Sequence, residues 1–235
     1  MEIRINKFLA ENGFGSRRAV EKLILNSAVK VNGEIVKNLA TKVDPQKNRV
    51  EVDGEILEKI RPPKIVAAFH KPVGFVCSTV GNSGEKTIFE LLPENFPRVF
   101  SAGRLDKNSS GLLILTNDGE LAAKLTHPRF AHRKKYFVET FEKLTDSMLA
   151  KMSGEIKMLG GKTRSSEIEK LGARKFSIIL REGKNRQIRR TTRRVGAAVK
   201  KLKRIAIGEL NLSKLNLPPG GVKILAPKEI EKLLK

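Results

Sequence analysis

Apolar positions recur first at helical spacing and then in alternation, and the change separates two kinds of structure. Ile5, Phe8 and Leu9 fall three and four residues apart, and Asn12-Gly13 behind them supplies a stop. Ser16 can cap a second helix, whose apolar positions are Ala19, Val20, Leu23 and Ile24. Two short amphipathic helices are predicted. VKVNGEIV and NRVEVDGEIL follow, with Asn32-Gly33 and Asp53-Gly54 as two-residue hairpin turns, since such turns need residues that tolerate positive φ. An αα-plus-hairpins module is expected over residues 1–59. Pro62-Pro63 can continue neither a helix nor a central strand, so residues 60–63 read as a linker.

From Lys64 the pattern changes to short strands, IVAAFHK, LLILT, KKYFVET and KFSIIL, separated by helical stretches that include KTIFELL and ELAAKL. Residues 64–235 are expected to form an α+β domain, a mostly antiparallel mixed sheet flanked by helices. Phe176, Ile178 and Leu180 alternate as in a half-buried strand, Gly183 permits a tight turn, and a helix follows with Ile188, Thr192 and Val195 facing inward. The chain has neither a fixed-period repeat nor a low-complexity tract.

Charge then narrows the class of partner. Lys and Arg number 47 against 25 acids, a net +22, which calls for a polyanion. The excess is spread over the whole chain rather than gathered on one amphipathic helix, which favours nucleic acid over a membrane surface. No run of about 18 apolar residues occurs, and MEIRINKFLAENG lacks a signal-peptide core, so a soluble protein without a membrane partner is expected. A single cysteine, Cys77, allows no internal disulfide and suits a reducing compartment, the cytoplasm.

Within this frame several residues are candidates for chemistry. Arg4, Lys7, Arg17, Arg18 and Lys22 give the N-terminal helices a basic face, which is either solvated or an RNA contact. Arg186, Arg189, Arg190 and Arg193 lie three or four apart beyond a strand-to-helix turn and could meet phosphates or a buried carboxylate. Asp118 precedes Gly119-Glu120 and the stripe Leu121, Ala122, Leu125, which suits a helix N-cap. Asp106, after Gly103-Arg104-Leu105 in a polar loop, is either a turn former or a reactive carboxylate. Tyr136 is the only tyrosine; it stands between the basic cluster HRKK and a strand, and by itself reads as a core aromatic. The three histidines, His70, His127 and His132, lack the spacing and cysteine neighbours of a zinc site, so no metal is expected. LGGKT at 159–163 ends like a phosphate-binding loop, but Ile156 stands where its first glycine belongs, and an NTPase reading fails.

Taken together, these segments resemble the bacterial ribosomal-RNA pseudouridine synthases that carry an N-terminal S4 RNA-binding domain. RINKFLAENGFGSRRAVEKLI with VKVNGEIV resembles the S4 domain, while HKPVGFVCST, SAGRLDKNSSGLLILTNDGELAAKLTHP, KKYFVE, REGKNRQIRR and LKRIAIGELNLSKLNLPPG match successive catalytic-domain motifs in order. The resemblance implies that Asp106 of GRLD is the catalytic aspartate, Tyr136 of KKY the ring that stacks on the target uracil, and Arg189 of RQIR the basic partner of the aspartate. It also implies RNA contacts at Arg104, Lys134, Lys135, Lys184, Arg186, Arg190 and Arg193. The reaction conserves atoms, so no cofactor is expected. The implied partner is ribosomal RNA, free or in an assembling particle, met by a monomer. NRQIRR is more similar to large-subunit than to small-subunit members. The competing reading is a non-catalytic, ribosome-associated S4-type RNA-binding protein, which would need no carboxylate in a basic groove. A DNA-binding regulator lacks a recognition-helix pair and a dimerisation segment.

Overall fold

A computed structural model describes residues 2–57, 63–79, 81, 84–158 and 161–235. The chain divides into two compact units, Met1–Lys64 and Ile65–Lys235. Of the expected linker, residues 60–62 lie outside the described residues, and Pro63 is exposed.

The first unit runs β1 (Ile3–Arg4), α1 (Ile5–Glu11), α2 (Arg17–Leu25), β2 (Val29–Val31), β3 (Glu34–Ile35), β4 (Lys42–Val43), β5 (Val50–Val52) and β6 (Glu55–Ile56). Both helices turn their periodic side chains, Ile5, Phe8, Leu9, Val20 and Ile24, onto Val29, Val43, Val50 and Val52. The Ser16 hydroxyl accepts from Ala19 N–H at 3.1 Å and starts α2. Ala19 itself is exposed, because in the first turn it lies beside Gly15 of the capping loop rather than over the strands. Asn32 and Gly33 have φ of 53° and 88°, Asp53 and Gly54 of 50° and 86°, the left-handed pairs that two-residue hairpins demand. The hairpins join through β2 and β5 into a sheet of order β3-β2-β5-β6, and β1 pairs with β4.

The second unit continues with β7 (Val66–Lys71), β8 (Phe100–Ala102), β9 (Ser110–Thr116), α3 (Gly119–Thr126), β10 (Lys134–Thr140), α4 (Asp146–Ser153), β11 (Lys157–Met158) and β12 (Gly161–Lys162). It ends with β13 (Glu167–Gly172), β14 (Lys175–Leu180), α5 (Gln187–Arg194), β15 (Val199–Ile207), β16 (Leu210–Asn211), β17 (Val222–Ile224) and α6 (Pro227–Leu234). One sheet of order β13-β14-β10-β15-β9-β7-β17 organises it, with β8 and β16 alongside. Among the pairings of this sheet only β15 with β9 is parallel. Ala67, Phe69, Leu113 and Leu115 enter one core with Leu149, Met152 and Ile188 of α4 and α5. The alternate residues Val66, Ala68, Leu112 and Ile114 enter a second core with Leu121, Leu125 and Leu233 of α3 and α6. Coverage on both faces is why β7 and β9 read as unbroken apolar runs.

Two local expectations change. KTIFELL forms only a single 3-10 turn, Ile88–Leu91, because Pro93 forces Leu92 into extended backbone and stops the helix. The turn before α5 does not rest on Gly183, whose φ is ordinary. The left-handed residue is Arg186, φ 49°, at the helix N-cap. The strands β13 and β15 escape sequence reading because charged residues interrupt them, although β15 lies inside the sheet.

Candidate active site

The loop between β8 and β9 carries Asp106 into a cleft of about 980 Å³ in the second unit, also lined by β10, β15 and the turn before α5. This loop is held by its backbone. Gly103 enters it at φ 82°. Cys77 Sγ sits 3.4 Å from both Leu105 N and Leu105 O, and the Asp106 carbonyl accepts from Ser109 N–H at 2.9 Å, closing a turn. Underneath lies Lys71, fully buried at the end of β7. Its ammonium donates to the carbonyls of Ser109 at 2.8 Å, Pro72 at 3.0 Å, Asp106 at 3.1 Å and Lys107 at 3.4 Å. Burial pulls the Lys71 amine below its ordinary value, against the opposing influence of Cys77 and Asp106. By contrast, the Asp106 carboxylate, a third exposed, accepts no hydrogen bond from any described residue.

Arg189 approaches this loop from α5. Its guanidinium donates to the Asn108 carbonyl at 2.6 Å, Ser109 Oγ at 3.3 Å and the Val199 carbonyl at 3.4 Å. Its Nε, buried and without a hydrogen-bond partner, stands 3.9 Å from Asp106 Oδ2. Arg189 therefore clamps the loop that carries the aspartate and keeps one donor pointed at the carboxylate. Burial, then the neighbouring Arg186 charge, lowers its ordinary proton affinity, while Asp106 raises it. The sharp turn into α5 is stabilised by buried Gln187, whose amide donates to Glu182 Oε1 at 2.7 Å and accepts from Lys184 N–H at 3.3 Å.

Tyr136 is a core residue that also borders the cleft. It is 9% exposed, packs with the core on one side of the sheet and also lines the cleft. Arg104, Lys134, Lys184 and Arg186 line the same cleft. Lys184 Nζ is tied to the Lys162 carbonyl. Lys135 points instead to Glu169, 3.5 Å away, and neither it nor Arg190 and Arg193 lines the cleft. Arg4, Lys7, Arg17, Arg18 and Lys22 belong to the first unit. There Lys7 lies 3.6 Å from Glu11, Arg17 donates to Asn6 Oδ1 at 3.3 Å, and Arg4, Arg18 and Lys22 are exposed. Gly161 and Lys162 of LGGKT form β12, and residues 159–160 lie outside the described residues. Among the described residues no three His, Cys, Asp or Glu side chains converge as metal ligands.

The family models decide the class. Residues 65–194 match the RNA pseudouridylate synthase model, and residues 3–48 match the S4 domain. The chain belongs to the RNA pseudouridylate synthase family. Like this synthase, its relatives share both units. An uncharacterized RNA pseudouridine synthase of Aquifex aeolicus (strain VF5) is 42% identical over 100% of this chain and 95% of its own length. Ribosomal large subunit pseudouridine synthase B of Buchnera aphidicola subsp. Baizongia pistaciae is 37% identical over 99% of this chain and 97% of its own. The protein of the same name in Bacillus subtilis (strain 168) is 34% identical over 98% and 95%. A crystal structure of a pseudouridylate synthase superimposes with TM-score 0.71 at 32% identity, covering 98% of this chain and 99% of the other. The synthase is thus an RNA-modifying isomerase with an S4 domain, and among its described residues no helix is long and apolar enough to cross a membrane.

Sequence reading missed four members of the site's frame: Lys71, Ser109, Gln187 and Arg204. Lys71 alone left a signal, a cation closing an otherwise apolar strand. Ser109, 1% exposed, gains its importance from contacts with Lys71 and Arg189 that are distant in sequence.

Proposed function

We propose that this synthase converts a uridine of large-subunit ribosomal RNA to pseudouridine, with Asp106 as the catalytic carboxylate, Tyr136 stacking on the uracil and Arg189 as the partner of the aspartate. The observation that carries the assignment is the contrast within Asp106. Its carbonyl is fixed by Lys71 and Ser109 while its carboxylate accepts no hydrogen bond from any described residue and faces the cleft. A carboxylate held by its own backbone is positioned yet free to react.

The chemistry follows from that placement. The target nucleotide leaves its stack and enters the cleft, where the Tyr136 ring offers a face worth roughly 1–3 kcal/mol in comparable stacks. Asp106 then attacks C1′ or takes the proton at C2′, and the N1-glycosidic bond breaks. The uracil turns and C5 bonds to C1′, which releases Asp106 from its ester or, in the other route, is matched by return of the proton to C2′; the C5 proton departs and N1 gains one, so atoms balance without a cofactor. Arg189 pairs its charge with the Asp106 carboxylate at 3.9 Å and holds its loop by hydrogen bonds. The names of the large-subunit relatives and the NRQIRR form support the choice of subunit. A cytoplasmic monomer meeting free ribosomal RNA or an assembling particle fits the +22 charge, the single cysteine and the S4 module. The units Met1–Lys64 and Ile65–Lys235 then divide RNA capture from chemistry.

Tritium release from 5-labelled uridine in ribosomal RNA tests the assignment. Asp106→Asn should lower turnover at least about a hundredfold, the scale of a positioned acid–base or nucleophilic group, while RNA binding persists. Activity within about tenfold of wild type refutes the role of Asp106. Pseudouridine maps from cells lacking the protein should lose a position in large-subunit RNA, and a loss confined to the small subunit refutes the subunit assignment.

A further inference from the structure

The floor of the cleft holds two cations that the proposed chemistry does not use. Arg204 is 3% exposed, and among the described residues its one hydrogen bond runs from Nε to the Leu112 carbonyl at 2.7 Å. Its Nη2 is buried without a partner. Half-buried Lys134 lines the same cleft, and among the described residues its ammonium reaches only the His132 carbonyl at 3.3 Å. Among the described residues neither cation is in an ion pair.

Their juxtaposition is built into the sheet. β10 and β15 run in regular register from Lys134↔Ile207 to Lys135↔Ala206, then a bulge sets Tyr136 opposite Arg204 instead of Ile205. Because side chains alternate between faces, Arg204 and Leu202, opposite Tyr136 and Val138, share the Tyr136 face, and Ile205 lies on the other. Accordingly Arg204 and Leu202 line the cleft, while Ile205 and Lys203 line a separate hollow on the far face. The opposite neighbour is shaped to match. Gly111 of β9 sits at φ 113°, where a Cβ would come within 2.2 Å of the Arg204 carbonyl oxygen, so only glycine lets the strands meet here.

Two adjacent cations withdrawn from water without a carboxylate oppose folding of the empty protein. Consistent with that cost, burial and the Arg204 charge push the Lys134 amine down to about 8. An anion supplied from outside would satisfy both. The carbonyls of a uracil could accept hydrogen bonds but carry no charge to offset a cation pair, whereas a phosphodiester does both.

We propose that Lys134 and Arg204 form an anion site in the cleft that takes one backbone phosphate beside the flipped nucleotide. The proposal rests on the reading that RNA enters this cleft. It gives the Tyr136 strand a second task, gripping the backbone while the ring holds the base.

Binding of the full chain to target RNAs carrying one uncharged methylphosphonate at each linkage around the target uridine tests it. At one linkage, removing the charge should weaken wild-type binding about tenfold or more, while in Arg204→Met and Lys134→Met the same change costs less than about threefold. Lys134→Gln, at the less buried position, repeats the test if Arg204→Met does not fold. Each cation removed should also reduce the salt slope by about 0.7. Equal losses in wild type and variants, or no loss at any linkage, overturn the anion site. The Asp106 assignment is read separately, as turnover, so either can fail without the other.

Discussion

Asp106 and Asp118 stand at opposite ends of one strand, β9, and the structure uses them in opposite ways. The Asp118 carboxylate is consumed locally, with Oδ1 accepting from Glu120 N–H at 2.9 Å and Leu121 N–H at 3.2 Å, where it caps α3. Asp106 is fixed through its carbonyl, and its carboxylate is left to the cleft. A side chain committed to its own backbone is structural, whereas one positioned by other groups remains available for a substrate. The same contrast separates buried Lys71 from half-buried Lys134. Lys71 spends its donors on four carbonyls, whereas Lys134 has one weak acceptor and a cation for a neighbour.

Removing the support beneath Asp106 should have the largest effect on stability. Lys71→Met leaves the buried carbonyls of the Asp106 turn without their donor, and it should cost about 3 kcal/mol or more in urea unfolding. In the folded fraction, single-turnover isomerisation should also slow at least about tenfold, because the carboxylate loses its fixed position. Normal turnover in folded Lys71→Met would show that the turn holds itself.

The contrast between the lysines sharpens into a pH experiment. Lys134 faces Arg204 on β15 and the His132 carbonyl in the preceding loop, and its β14 neighbour is the apolar Leu180. Below about pH 8 it is charged both folded and unfolded, and the folded state bears the whole penalty. Between that value and about 10.4, only the unfolded chain keeps the proton, so unfolding takes up a proton and stability rises with pH. Wild type minus Lys134→Met, without RNA, should show this rise at up to about 3 kcal/mol. A pH-independent difference would remove the burden assigned to Lys134.

The aspartates themselves provide the smallest effects. Asp118→Ala should lower stability by about 1 kcal/mol and leave turnover of the folded protein unchanged. Asp106→Asn should shift stability by less than about 0.5 kcal/mol, since no described residue hydrogen-bonds to the carboxylate that it replaces. A thermal melt of each beside its turnover number checks the pair, and a destabilised Asp106→Asn would make that residue structural as well.

Short-range physics was legible in the sequence. Asn32-Gly33 and Asp53-Gly54 specify positive φ wherever they stand, Ser16 and Asp118 cap helices from within a few residues, and the apolar runs of β7 and β9 announce burial on both faces. The resemblance through GRLD, KKY and NRQIRR named Asp106, Tyr136 and Arg189, and the fold brings Arg189 within 3.9 Å of Asp106 and Tyr136 into the same cleft. What only tertiary structure decided depends on residues far apart in the chain. Lys71 becomes a cage centre because the 106–109 turn folds over it, and Ser109 becomes a junction because α5 brings Arg189 there. Arg204 gives no sign of its place in a lysine-rich strand, because its burial is set by Tyr136 of β10 opposite it and by a glycine on β9. Alternation along a sequence predicts the faces of a regular strand, but only the pairing partner fixes where that alternation slips.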